Sequence, residues 1–99
     1  MKLKVGALQA EERHVEGFRA LSHLTRLKIF FYLVRKGEEG DSVGNILAAL
    51  EVAGPTLSHH LDILHRAGFL RARREERFIF YSVRREMVSG LVRLLTACC

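Results

Sequence analysis

Three groups of side chains have the types and spacing to do chemistry. Cys98 and Cys99 are adjacent thiols, the only two cysteines in the sequence. Adjacent trans residues hold their Cα atoms about 3.8 Å apart, short of the ~4.4–6.8 Å a disulfide spans, so the pair resists closing on itself and stays as thiols in a reducing compartment. Two neighbouring thiolates suit a soft, thiophilic ion better than zinc, which seeks four ligands in a closed tetrahedron. Thr56, Ser58 and His59 form the second group, short or planar hydrogen-bonding side chains just after Gly54-Pro55. The third is a run of arginines, with Arg66, Arg71, Arg73, Arg74, Arg77, Arg84 and Arg85 inside twenty positions. Residues 66–99 hold eight arginines against three glutamates, and residues 1–65 balance, so the whole net charge of +5 lies in the last third. Such a field suits phosphate or an acidic partner, and composition alone does not choose between that and a solvated arginine-rich face.

What is absent narrows the classes. The sequence has no Gly-rich phosphate loop, no H-E-x-x-H and no nucleophile placed to partner His23, His59, His60 or His65, so enzymatic function is not expected. The longest apolar run, Ile29 to Val34, is far short of the roughly 20 residues of a membrane span, and no membrane partner is expected. Met1-Lys2-Leu3-Lys4 lacks an apolar export region behind it, which makes the cytoplasm the default. At 99 residues, with 48% hydrophobic and 27% charged residues, the expectation is one globular domain over residues 1–99.

The positioning elements follow from periodicity. Val15, Phe18 and Leu21 recur at three-residue spacing behind Glu11, Glu12 and Glu16, predicting a first helix from Glu11 to Ala20. Thr25 can cap a second helix running to Lys36, whose apolar set is wide enough to make it central to the core. Beyond the polar break at Gly37–Gly40, Asp41 or Ser42 can cap a short third helix carrying Val43, Ile46, Leu47 and Leu50 on one face. A fourth helix begins at Pro55, buries Leu57, Leu61 and Leu64, and stops at Gly68. His59, Asp62 and Arg66 then point away from the core, with Thr56, Ser58 and His65 on the flanks, whereas His60 turns inward as a buried structural histidine. From Phe69 the period changes to two, predicting a β-hairpin with Glu75-Glu76 near an arginine-bearing tip and an unassigned turn type. The last helix, Glu86 to Cys99, is apolar over too much of its circumference for an exposed monomer end, which implies a subunit interface.

This order is that of a winged helix-turn-helix: mainly α with a small β-hairpin, α-α-α-α-β-β-α. Residues 20–29 (Ala-Leu-Ser-His-Leu-Thr-Arg-Leu-Lys-Ile), 56–70 (Thr-Leu-Ser-His-His-Leu-Asp-Ile-Leu-His-Arg-Ala-Gly-Phe-Leu) and 73–81 (Arg-Arg-Glu-Glu-Arg-Phe-Ile-Phe-Tyr) resemble the ArsR/SmtB family of metal-sensing repressors. The resemblance covers roughly residues 15–97. It implies a homodimer pairing first and last helices, here through Val15, Phe18, Val88, Leu91 and Leu95. It also implies an unliganded form that represses by sitting on double-stranded operator DNA. Thr56, Ser58 and His59 at the start of the fourth helix are the expected base-edge and phosphate contacts, and Arg73, Arg74 and Arg77 at the wing the expected backbone or minor-groove contacts.

Many relatives of this kind bind metal through cysteines on the third helix, but residues 41–46 carry no thiol. Others use Asp and His on the last helix, and residues 84–99 have neither. Cys98 and Cys99 are therefore the expected metal ligands, with trivalent arsenic or antimony as inducer and no organic cofactor. Some arsenic-responsive members do carry such a vicinal pair at the end of the last helix. Arsenite normally takes three thiolates and a monomethylated arsenical two; a third would come from an exogenous thiol, the partner subunit or residues beyond Cys99. The competing readings are an unselected tail, a regulator sensing thiol oxidation or a protein partner, and a prenylation signal, which no nucleotide-binding motif supports.

Overall fold

The computed structural model describes residues 4–5 and 8–97, with side chains from residue 9 onward. Two short strands, β1 (Lys4–Val5) and β2 (Leu8–Gln9), pair antiparallel ahead of the first helix. Five helices follow: α1 (Glu12–Leu21), α2 (Leu24–Lys36), α3 (Val43–Leu50), α4 (Gly54–Arg66) and α5 (Arg85–Thr96). A 3-10 turn at Gly37–Glu39 leads into strand β3 (Asp41–Ser42), and β4 (Leu70–Glu75) and β5 (Phe78–Val83) form the hairpin. The winged helix-turn-helix expected from the sequence is the fold observed. Among the described residues no helix is long and apolar enough to cross a membrane.

α2 lies at the centre, as its width predicts, with Ile29, Phe30 and Leu33 buried against α4 and the hairpin. Phe69 is fully buried and meets Phe30 edge-on, ring centres 5.8 Å apart. The rest of the apolar circumference of α2 is not core, for Leu24, Phe31 and Val34 are exposed. Its cap also differs from expectation: His23, not Thr25, is the N-cap, its Nδ1 accepting the Thr25 N–H at 3.2 Å. An imidazole nitrogen serves here in place of a hydroxyl oxygen. α4 starts one residue early, at Gly54, which places Pro55 second in the helix.

The third sheet strand had no hydrophobic signature. β3 pairs antiparallel with β5, Asp41 opposite Tyr81 and Ser42 opposite Phe80, so the sheet order is β3-β5-β4. Backbones meet so closely there that a Cβ on Gly40 would sit 1.9 Å from the Tyr81 carbonyl oxygen, and Gly40 has φ +68. Only glycine satisfies both constraints. Asp41, buried at 7% exposure, gathers the neighbourhood. It accepts from Tyr32 Oη at 2.5 Å, Asn45 Nδ2 at 2.8 Å and the Ser42 N–H at 2.9 Å. Burial pushes its carboxyl up, but those donors together with Lys36 outweigh burial and leave it below the ordinary value. The same bond to Asp41, then burial and the carboxylate charge, push Tyr32 up to about 12. Ser42 caps α3 through Asn45 N–H at 3.2 Å, so this node fixes where the helix-turn-helix begins.

Gly17 of α1 touches α5, where a Cβ would lie 2.6 Å from the Met87 methyl and 3.4 Å from Leu91. Leu91, expected at a subunit interface, is 5% exposed within its own chain and belongs to the core. Val15, Phe18, Val92 and Leu95 are exposed on the same two helices, and Val88 is half-buried.

Candidate nucleic-acid interface

α4 buries Leu57, His60, Leu61 and Leu64. At 100° per residue this leaves Thr56, Ser58, His59, Asp62, His65 and Arg66 outside, and all six are exposed. His65 packs edge-on against Tyr81, ring centres 6.2 Å apart, which ties α4 to the wing. Ser58 and Arg77 line one groove of about 300 Å³ with Gly44, Ile79 and Tyr81. The hairpin tip therefore reaches the N-terminal half of α4, where a recognition helix meets base edges.

Strand alternation sorts the wing arginines. Arg74 is paired with Ile79 and shares the hairpin face of Ala72 and Tyr81, the side that meets α4. Arg73, opposite Phe80, lies on the other face. Its guanidinium stacks over Phe80 at 4.9 Å and donates to Glu75 Oε2 at 2.9 Å and to the Glu39 carbonyl at 3.3 Å. It braces the wing stem against the 3-10 turn, and the structure does not bring it beside Thr56, Ser58 and His59. Arg77, over Phe78 at 5.4 Å, is exposed in the two-residue loop Glu76-Arg77. Glu76 holds φ +57 there, a conformation this turn geometry demands of a residue other than its preferred glycine or asparagine.

His60 is the inward histidine the pattern predicts, 7% exposed, with its Nδ1 lacking any partner among the described residues. Its ring lies 4.6 Å from His23 and 5.7 Å from His59. Burial, then the neighbouring His23, Arg26 and His59, hold it below its ordinary value of 6.5. Cys98 and Cys99 lie outside the described residues. Among the described residues no three His, Cys, Asp or Glu side chains form a group able to hold a metal ion.

Residues 21–73 match a protein family described as a helix-turn-helix domain. An HTH-type transcriptional regulator of Methanocaldococcus jannaschii is 34% identical over 89% of this chain and 97% of its own length. An ArsR-like transcriptional regulator from a Rhodococcus species superposes with TM-score 0.75 at 25% identity, over 85% of this chain and 76% of that one. The chain belongs to the ArsR/SmtB family of winged-helix transcriptional regulators. A cadmium resistance regulatory protein homologue of Staphylococcus aureus is 37% identical over 76% of this chain, which spans 60% of that protein's length. These relatives are regulators of transcription and not enzymes. In this ArsR/SmtB chain the helix-turn-helix match contains α3, α4 and the start of the wing, the elements that carry Thr56, Ser58, His59 and Arg73.

The environment of His60 gives a pH prediction. A histidine whose value is lowered by folding binds its proton more tightly in the unfolded chain, so stability is complete above about 6.5 and falls as pH drops below it. Urea midpoints measured from pH 7.5 to 5 should decline for the native sequence and decline less for His60→Gln. Parallel curves for the two proteins would place the acid sensitivity elsewhere.

Proposed function

We propose that this chain is a homodimeric repressor that reads double-stranded operator DNA with α4 and is released when trivalent arsenic or antimony binds Cys98 and Cys99. The observation that carries the DNA reading is the single groove shared by Ser58 of α4 and Arg77 of the wing. Thr56, Ser58 and His59 are offered to base edges and adjoining phosphates, while Arg77 and Arg74 supply the salt-sensitive backbone contacts. Arg73, tied to Glu75, Glu39 and Phe80, acts by holding the wing in place.

Exposed Val15 and Phe18 on α1, with Val92 and Leu95 on α5, support a dimer built on these two helices, which pack together at Gly17. Leu91 serves the interface from behind, as the core residue that seats α5. The inducer reading rests on the two thiols that follow α5 and agrees in chemical class with the cadmium-resistance relative. α5 is joined to the wing by the Arg84 N–H, which donates to the Phe69 carbonyl at 2.7 Å, and to α1 at Gly17. A ligand that favours another placement of α5 would thus change the relation of two reading heads; a typical coupling needs about 1–3 kcal/mol of differential affinity.

Three outcomes test this reading on a duplex selected by the protein from random sequence. Arg77→Ala should weaken selected and random duplexes alike and flatten the salt slope by about one unit. Ser58→Ala and His59→Ala should mainly reduce the preference for the selected duplex, and Arg73→Ala should lower the melting temperature more than it changes the salt slope. Unchanged random-duplex binding in Arg77→Ala would remove the wing from the interface.

Phe18→Glu with Val92→Glu should yield monomers by light scattering, since each carboxylate would be buried unpaired in a contact made twice by symmetry. A dimer that survives both changes lies on another surface.

Cys98→Ser and Cys99→Ser should each retain DNA binding and lose release by arsenite or its methylated form. Release at wild-type arsenite concentrations in both variants would show that the terminal pair is not the inducer site.

A further inference from the structure

The flank of α4 opposite the wing holds a second basic groove, of about 440 Å³, between α1, α2 and α4. Arg19, Ser22, Arg26 and Arg66 line it together with Glu16 and Ile63. Two of the three arginines are engaged: Arg19 with Glu16 at 2.5 Å and Arg66 with Asp62 at 3.0 Å. Arg26 is not. It joins none of the ion pairs formed among the described residues, and its Nε is buried without a hydrogen-bond partner. From α4 it is faced by Arg66, which lines the same groove, and by His60, whose value is lowered by burial first and then by His23, Arg26 and His59. The His60 Nδ1 is likewise buried and unpartnered.

A half-buried guanidinium without an acceptor is costly, and a buried polar group with no protein partner marks a place where an unseen ligand or water completes it. The planar fork of arginine matches the oxygens of a phosphate group. We propose that this groove receives a phosphate group, with Arg26 as its central ligand, and that the phosphate is one of the DNA backbone. Position selects that source. On the α4 wheel Thr56, Ile63 and Ala67 lie on one flank, Ser58 and His65 on the other, with the outward His59, Asp62 and Arg66 between them. A helix seated in a major groove about 12 Å wide has a phosphate chain on each side. The wing serves one chain and the Arg26 groove serves the other.

This inference rests on the DNA reading of α4, and the test separates the two. Salt-dependent anisotropy would be measured with the selected duplex and a random duplex for the full chain and for Arg26→Gln, which keeps hydrogen-bond donors and loses the charge. Thermal unfolding would be followed in parallel with and without millimolar inorganic phosphate. The expected result is a salt slope lower by about one unit for Arg26→Gln on both duplexes, with phosphate raising the melting temperature of the wild type only. An unchanged slope together with phosphate protection confined to the wild type would assign the groove to a free oxyanion and overturn its DNA role. An unchanged slope with no protection in either protein overturns the proposal entirely. If the wild type binds neither duplex, the reading of α4 fails, while phosphate protection still decides the groove. Should Arg26→Gln not fold, Arg26→Lys must keep the slope and lose affinity, because the charge remains and the fork does not; unaltered affinity would count against the site.

Discussion

The burial of Leu57, Leu61 and Leu64 is the constraint on which the rest of the molecule depends. All three are 1% exposed or less, and their common stripe leaves α4 no rotational freedom about its own axis. Turning the helix by one residue would expose two leucines and bury Ser58 or Asp62 without a partner, each a loss of kilocalories. Every outward group follows from that lock: Ser58 meets the wing groove, His65 meets Tyr81, and Ile63 with Arg66 borders the Arg26 groove. The remaining elements set where the locked helix stands. Asp41 ties α2 to α3 just ahead of it, and Phe69 anchors the hairpin just after it.

Charge is organised around the same axis. The arginine excess in the last third looks uniform in sequence, yet strand alternation and packing divide it into groups with different work. Arg77 at the tip and Arg74 on the α4 side are available to an anionic partner. Arg73 and Arg71 lie on the opposite face, engaged with Glu75 and with Glu86 at 3.6 Å. These exposed pairs contribute little stability individually, and their effect is to fix the wing's orientation and to neutralise the side turned away from α4. A basic hairpin thus presents its uncompensated charge on one side.

Much of this was legible in the sequence because the signals were local and periodic. The leucine spacing gave α4, its face and the inward His60, and the change of period at Phe69 gave the hairpin. Four features were not legible, each for a physical reason. β3 is two residues long and held by Gly40 and Asp41, so no apolar alternation marks it. A histidine nitrogen replaced the hydroxyl expected to cap α2. Leu91 belongs to the apolar set of α5 whether it faces its own core or a partner, and only the contact with Gly17 decides. The Arg26 groove joins residues from three helices, and the lack of an ion pair for Arg26 among the described residues is a property of packing that spacing does not encode.

The central claim is that the outward side of α4 and the wing tip form a single DNA-reading surface. Titration of duplex DNA into the isotope-labelled full chain, followed by amide chemical shifts, tests it most directly. The account predicts perturbations concentrated at Thr56, Ser58, His59 and Arg77, with smaller ones at Arg26 and little change along β3 and the buried stretch of α2. Perturbations confined to α1 and α5, with α4 and the wing tip unmoved, would contradict it.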